Sequence, residues 1–196
     1  MTKAFAGLAG VVLAAGGSAR LGQPKQLLEH AGQTLVQRAV VQAQPVCDCG
    51  IVVVTGAQGD AVAAELQGTG ARITPNPDWE SGMAGSLRAA LTALDDSGCD
   101  AALLMVCDQP RIGTAHLAAL AALWQNAPSR AAAAAYDGQP GVPAIVPRSW
   151  FAQLAGLQGD QGARGLLRAN PDTQLLDMPD AATDIDTPDD LTQLEQ

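Results

Sequence analysis

The residues of this 196-residue sequence that could do chemistry gather in a few short stretches, and the first is the most telling. Residues 13–25 run Leu13, Ala14, Ala15, Gly16, Gly17, then through Arg20 and Gly22 to Lys25. Three glycines free the backbone to turn sharply and aim N–H groups at an anion. Arg20 and Lys25 add full positive charges at the same mouth. A Walker A loop needs Lys directly after its second glycine and then Ser or Thr, whereas here Gln23 and Pro24 intervene. The dinucleotide fingerprint G-x-G-x-x-G cannot be laid on Gly16, Gly17 and Gly22. The segment therefore reads as a phosphate cradle of neither standard type.

Two further stretches place polar groups at element ends. Residues 76–87 read as a turn followed by a helix N-terminus around Gly82 and Gly85, where exposed N–H groups and a positive dipole end are available to a ligand or to an ordinary cap. Arg88, just beyond, could reach a phosphate, but it reads rather as a helix-surface salt bridge. Residues 103–107 are apolar and are followed by Asp108, so a carboxylate sits where a strand would end. Far along the chain, residues 182–191 hold Asp184 and Asp186 before Thr187 and Pro188. Thr187 suits a helix N-cap with Pro188 in the first turn, and Asp189 and Asp190 suit the dipole.

The elements that must position these groups follow from hydrophobic period. Strands are expected at 8–14, 50–55, 71–74, 101–107, 131–136, 142–146 and 174–176. Helices are expected at 35–44, 57–66, 83–94, 114–125, 149–154, 162–168 and 188–194. Leu87, Leu91 and Leu94 recur at helical spacing. This β-α-β-α rhythm implies one domain over residues 1–196, a three-layer α/β/α fold with a mostly parallel, Rossmann-like central sheet. Such sheets bind ligands in the crevice at the carboxyl ends of their strands, which is where the glycine loop and Asp108 would lie.

Composition narrows the partners. The chain is 47% hydrophobic and 16% charged, which is globular, and only 3% aromatic, so Ala, Leu and Val must build the core. A net charge of -9 disfavours nucleic acid and anionic membranes, which need a broad basic face. It leaves room for a small anion held by a local cluster of cations. Only two lysines occur, Lys3 and Lys25. Cys47, Cys49, Cys99 and Cys107 show no CxxC spacing and have neither His30 nor His116 beside them. A zinc site is not expected, and free thiols of a cytoplasmic protein are. Residues 1–19 superficially resemble a secretory signal, but the run VVLAA feeding a glycine turn is better explained as a buried parallel strand.

Taken together, LAAGGSARLGQPKQLL resembles the signature L-x-A-G-x-x-x-R-x-G-x-x-K of nucleotidyltransferases with a Rossmann-like fold, and within them the molybdenum cofactor cytidylyltransferase group. NPDWESGMAGSL, LLMVCDQP, ATDIDTPDDL, GQPGVPA and GDQGAR resemble further elements of that group, in motif order over most of the chain. The resemblance implies a Mg²⁺-dependent transfer of CMP from CTP to the phosphate of a molybdopterin-type acceptor, with molybdoenzyme maturation proteins as further partners. It assigns Leu13, Ala14, Ala15, Gly16 and Gly17 to the nucleotide, Arg20 and Lys25 to its phosphates, and Gly82, Met83 and Ser86 to the base. Asp108 and Asp186 become the metal ligands, with Asp184 as the weaker candidate for the second. Mg²⁺ suits so sparse a set, since phosphate oxygens and waters complete its shell. Gly141, Pro143 and Arg164 would face the acceptor, although a structural salt bridge would equally explain Arg164. GTP, a sugar phosphate or a methylerythritol phosphate acceptor, a non-catalytic cofactor-binding maturation factor and an NAD-dependent dehydrogenase remain the competing readings.

Overall fold

The computed structural model describes residues 5–194. Lys3 and the start of the signal-like stretch lie outside the described residues. Nine strands and six α-helices follow in order. They are β1 (Leu8–Ala14), β2 (Glu29–His30), β3 (Gln33–Thr34), α1 (Leu35–Ala43), β4 (Ile51–Thr55), α2 (Gly59–Glu65), β5 (Arg72–Pro75) and α3 (Met83–Leu94). Then come β6 (Ala101–Val106), α4 (Thr114–Gln125), β7 (Ala132–Tyr136), β8 (Gln139–Pro147), α5 (Phe151–Ala155), α6 (Ala163–Ala169) and β9 (Gln174–Asp177).

Seven strands form one sheet in the order β5-β4-β1-β6-β8-β7-β9, and β2 pairs β3 in a separate small hairpin. Within the large sheet β8 alone runs against its neighbours β6 and β7, and the remaining contacts are parallel. The mostly parallel sheet expected from sequence is present. Alternation along β1 shows why both faces are covered. Leu8, Val12 and Ala14 pack into one apolar cluster that also holds Val36 and Val40 of α1, Val62 of α2 and Leu117 and Leu120 of α4. Ala9 and Val11 pack into the other, with Leu87 and Leu91 of α3, Leu154 of α5 and Leu167 of α6. Successive side chains of a strand point to opposite faces, so an unbroken apolar run is what a sheet with two helical layers requires. No described helix is long and apolar enough to cross a membrane.

Two departures matter for the site. Residues 138–141 were expected as a gap between two strands, yet β8 begins at Gln139, so β7 and β8 form a hairpin. The ladder then slips. Ala133 faces Ala144 while Ala134 faces Gly141, leaving Val142 and Pro143 bulged out of the pairing with β7. Pro143 has no N–H to offer a ladder, and bulges accommodate such residues. The segment 188–194, expected as an ordinary helix, is 3₁₀. There the polarity of the cap is also reversed, since the Asp190 carboxylate accepts from the Thr187 N–H at 2.7 Å and from its hydroxyl at 2.8 Å.

Candidate active site

The loop after β1 is fixed from beneath by Gln26. This side chain is 1% exposed, and its Nε2 donates to the carbonyls of Ala14 at 3.0 Å and Gly16 at 2.7 Å. The Lys25 N–H donates to Ser18 Oγ at 3.1 Å, which closes the loop on itself. Trp79 fixes it from the side. A Cβ on Gly17 would meet the indole ring at 2.9 Å, and one on Gly56 would meet Trp79 Cβ at 2.6 Å. Glycine is needed at both positions because Trp79 takes the space, joined at Gly56 by the Ala15 carbonyl.

Asp108 and the 184–186 segment arrive from opposite ends of the sequence and are joined by two devices. The Ile185 N–H donates to the Asp108 carbonyl at 3.0 Å. The fully buried Ile185 side chain shares a small apolar cluster with Leu21 of the glycine loop and Leu35 of α1. The loop and the distant acidic segment therefore clasp one hydrophobic plug, and their charged tips meet above it. Lys25 Nζ donates to the Asp108 carboxylate and, at 2.8 Å, to Asp186 Oδ1. Arg20 Nη2 donates to Asp186 Oδ2 at 2.8 Å.

The electrostatics follow from this geometry. Burial works against the charge on Lys25, but the Asp108 carboxylate and then Asp186 outweigh it and hold the ammonium above its ordinary value. Burial likewise opposes the charge on Asp186, and Lys25 and Arg20 outweigh it and hold that carboxyl below its usual range. Asp184 differs, since burial, then Asp186 and Asp108, raise it. Asp108 Oδ1 is buried with no hydrogen-bond partner. Among the described residues there is no group of three or more His, Cys, Asp or Glu that could hold a metal. Two carboxylates converging on one cation, one of them with a bare oxygen, fit a hard divalent ion that takes the rest of its shell from phosphate and water.

This cluster forms one wall of a cleft of about 600 Å³. Leu13, Arg20, Lys25, Asp108, Asp184 and Asp186 line it on that side, and Met83, Tyr136, Val142 and Arg164 line it elsewhere. Gly16 and Gly17 line a smaller adjoining hollow of about 290 Å³ with Ser18 and Gln58. Ala14 and Ala15 are buried behind the loop. Gly82, next to the cleft-lining Met83, has φ 107°, where a Cβ would meet the Gly159 carbonyl at 2.4 Å, and Ala84 N–H donates to that same carbonyl at 3.0 Å. Residues 82–84 and the 159–164 loop are thus packed together as one wall. Ser86 does not line the cleft. It is buried in α3 and accepts from Asn76 Nδ2 at 3.1 Å.

Sequence reasoning missed Tyr136. Its hydroxyl accepts from Arg164 Nη2 at 2.8 Å, its ring lies 5.8 Å from the same guanidinium, and a Cβ on Gly141 would meet the hydroxyl at 2.3 Å. Gly141 and Pro143 are buried in β8, and Gly141 leaves the space that Tyr136 fills. Among the described residues Arg164 therefore has a tyrosine as its side-chain partner and no carboxylate. Arg88 also makes no salt bridge among the described residues. It donates to the carbonyls of Ala155 at 3.1 Å and Leu157 at 3.0 Å, tying α3 to the end of α5. Gln109 was likewise missed, and its Nε2 ties the Asp108 loop to the carbonyls of Val142 and Ala181 at 3.0 and 2.7 Å. The chain's single tyrosine, five residues before Gly141, was a signal that spacing alone did not make readable.

Comparison with known proteins agrees with this architecture. A family model described as "MobA-like NTP transferase domain" matches residues 10–175. The chain is 34% identical to nicotine blue oxidoreductase of Paenarthrobacter nicotinovorans, over 94% of this chain and 95% of that one. It is 27% identical to molybdenum cofactor cytidylyltransferase of Escherichia coli strain K12, over 92% and 91%. Among solved structures, Rv0371c of Mycobacterium tuberculosis in complex with manganese superimposes with a TM-score of 0.77 at 28% identity, over 95% of this chain and 97% of that one.

Proposed function

Because the chain belongs to the MobA-like NTP transferase family, we propose that it transfers CMP from CTP to the terminal phosphate of a molybdopterin-type acceptor and releases pyrophosphate. The observation that carries this reading is the Lys25 ammonium seated between Asp108 and Asp186 at the mouth of the glycine loop. An acceptor phosphate oxygen bonds to the α-phosphorus of the triphosphate, and the bond to the β-phosphate oxygen breaks. Such a transfer asks the protein for alignment and charge neutralisation rather than for a covalent nucleophile. Lys25 and Arg20 take the phosphate oxygens, and the backbone of residues 13–17 bounds the nucleotide. Asp108 and Asp186 would hold Mg²⁺, which when bound supplies positive charge to the phosphate oxygens. Arg164, braced by Tyr136, faces the acceptor across the cleft, and Met83 and Val142 supply apolar wall.

A second reading has one specific support, the oxidoreductase named among the relatives. It predicts nicotinamide turnover without metal. The missing dinucleotide fingerprint and the cation-carboxylate cluster favour nucleotidyl transfer over it. The deciding assay offers each nucleoside triphosphate with Mg²⁺ and molybdenum-loaded pterin, and follows pyrophosphate and product mass. Release with CTP alone is expected. Release with GTP moves the base assignment, and product masses matching a sugar phosphate or methylerythritol phosphate move the acceptor. No release with any pairing overturns the enzyme in favour of a cofactor-binding maturation factor, and NADH oxidation in EDTA overturns it in favour of a dehydrogenase.

A further inference from the structure

The four carboxylate oxygens of Asp108 and Asp186 are unequally provided for. Asp108 Oδ2 and Asp186 Oδ1 both accept from Lys25 Nζ, and Asp186 Oδ2 accepts from Arg20. Asp108 Oδ1 is buried and has no partner. Three of the four oxygens that a divalent cation would use are thus already engaged by the two cations that a triphosphate would use.

Each ligand alone faces competition from the protein itself. A divalent cation arriving by itself must displace Lys25, whose ammonium is then left part-buried without its carboxylates. A polyphosphate arriving by itself must draw Lys25 and Arg20 away and leave two carboxylates facing one another. Uncompensated charge in such a place is costly. When both arrive, Lys25 and Arg20 pass to the phosphate oxygens while the carboxylates pass to the cation, and no charge is left bare.

We propose that Lys25, assisted by Arg20, is an internal counter-ion that occupies the carboxylate pair in the free protein and makes binding of divalent cation and polyphosphate mutually dependent. The coupling is reciprocal, each ligand raising the affinity of the other by the same factor, and such factors commonly lie at about 5- to 150-fold. This rests on the proposed function only for the nature of the two ligands, and neither base nor acceptor enters it.

Two probes test it without turnover. The first is Mn²⁺ alone, titrated by its paramagnetic signal into the wild-type chain and into Lys25→Met. The variant is expected to bind Mn²⁺ at least about tenfold more tightly, and Asp108→Asn should abolish the signal change, locating the ion. The second is inorganic tripolyphosphate in EDTA, where Asp186→Asn is expected to bind more tightly than wild type because Lys25 and Arg20 are released. Lys25→Met binding Mn²⁺ equally or more weakly would overturn the proposal, as would Asp186→Asn losing tripolyphosphate affinity. Should Lys25→Met fail to fold by circular dichroism, Arg20→Gln, at a side chain 72% exposed, must show a smaller tightening toward Mn²⁺, and its absence counts equally against the exchange. Failure of the two readings is separable. Tightened Mn²⁺ binding with no nucleotide turned over leaves the exchange standing and removes the transferase, and turnover with unchanged Mn²⁺ binding does the reverse.

Discussion

Asp184 and Asp186 lie two residues apart on one segment and meet opposite environments. Asp186 is held charged by Lys25 and Arg20, whereas Asp184 is pushed the other way by burial and by Asp186 and Asp108. The sign for stability follows. A carboxyl raised above its unfolded value of 3.8 resists ionisation in the folded state, so it lowers stability once pH exceeds that value, and the penalty is absent below it. Asp184→Asn is therefore expected to raise the thermal midpoint of the ligand-free protein at pH 7, with the difference shrinking as pH falls toward 3.8. An unchanged midpoint at pH 7 contradicts this account. Lys25→Ala should lower kcat by at least about 10²–10³, the scale of one preorganised charge donor, in a chain that circular dichroism shows folded. Near-normal turnover would remove Lys25 from the chemistry. Lys25, Arg20, Asp108 and Asp186 were legible in the sequence because each sits at an element end within an ordered series of motifs. The distinction between Asp184 and Asp186 was not, because it depends on which of two neighbours reaches Lys25 after Ile185 is buried.

At the level of elements, strand ends and bulges shape the cleft more than helices do. The bounds of α3 and α4 match the expected 83–94 and 114–125. The β7–β8 hairpin was less legible. Gly138, Pro140 and Gly141 look like a loop, but β8 absorbs the last two and slips its register at Val142 and Pro143. The two-residue strands β2 and β3 are too short to show any period. The hairpin matters because it sets Tyr136 against Arg164. Tyr136→Phe removes the hydroxyl that accepts from Arg164 at 2.8 Å while keeping the ring over the guanidinium. The loss of one ordinary hydrogen bond is about 1 kcal/mol, so KM for the acceptor should rise about fivefold. KM for the nucleoside triphosphate should stay as it was, since the hydroxyl of Tyr136 braces Arg164 rather than Lys25 or Arg20. A rise in both constants would mean that the substitution loosens the whole cleft rather than the acceptor side.

Across the whole molecule the sheet has a chemical edge and a structural edge. Lys25, Arg20, Asp108 and Asp186 lie at the carboxyl ends of β1 and β6 or on segments tied to them, the end at which parallel sheets carry their ligand crevices. At the opposite edge, the Asp48 carboxylate accepts from the Gly7 N–H at 3.2 Å and the Leu8 N–H at 3.0 Å, and so holds the start of β1. Beside it, burial pushes the Cys47 thiol up to about 12 and the Cys49 thiol up to about 11, with Asp48 adding to both. These groups are poor nucleophiles at neutral pH, which suits an edge with no chemistry. Asp48→Ala strips two strand-end amides of a charged acceptor and relieves the neighbouring thiols of a negative charge. It should lower unfolding stability by about 1–2 kcal/mol, read as a shift of the urea midpoint at unchanged slope. Because β1 carries the glycine loop at its far end only through a continuous ladder to β4 and β6, the folded fraction should keep its kcat/KM. A fall in kcat/KM at full folding would show that strain at the amino end of β1 travels along the strand to the phosphate loop, and the separation of the two edges would then be wrong.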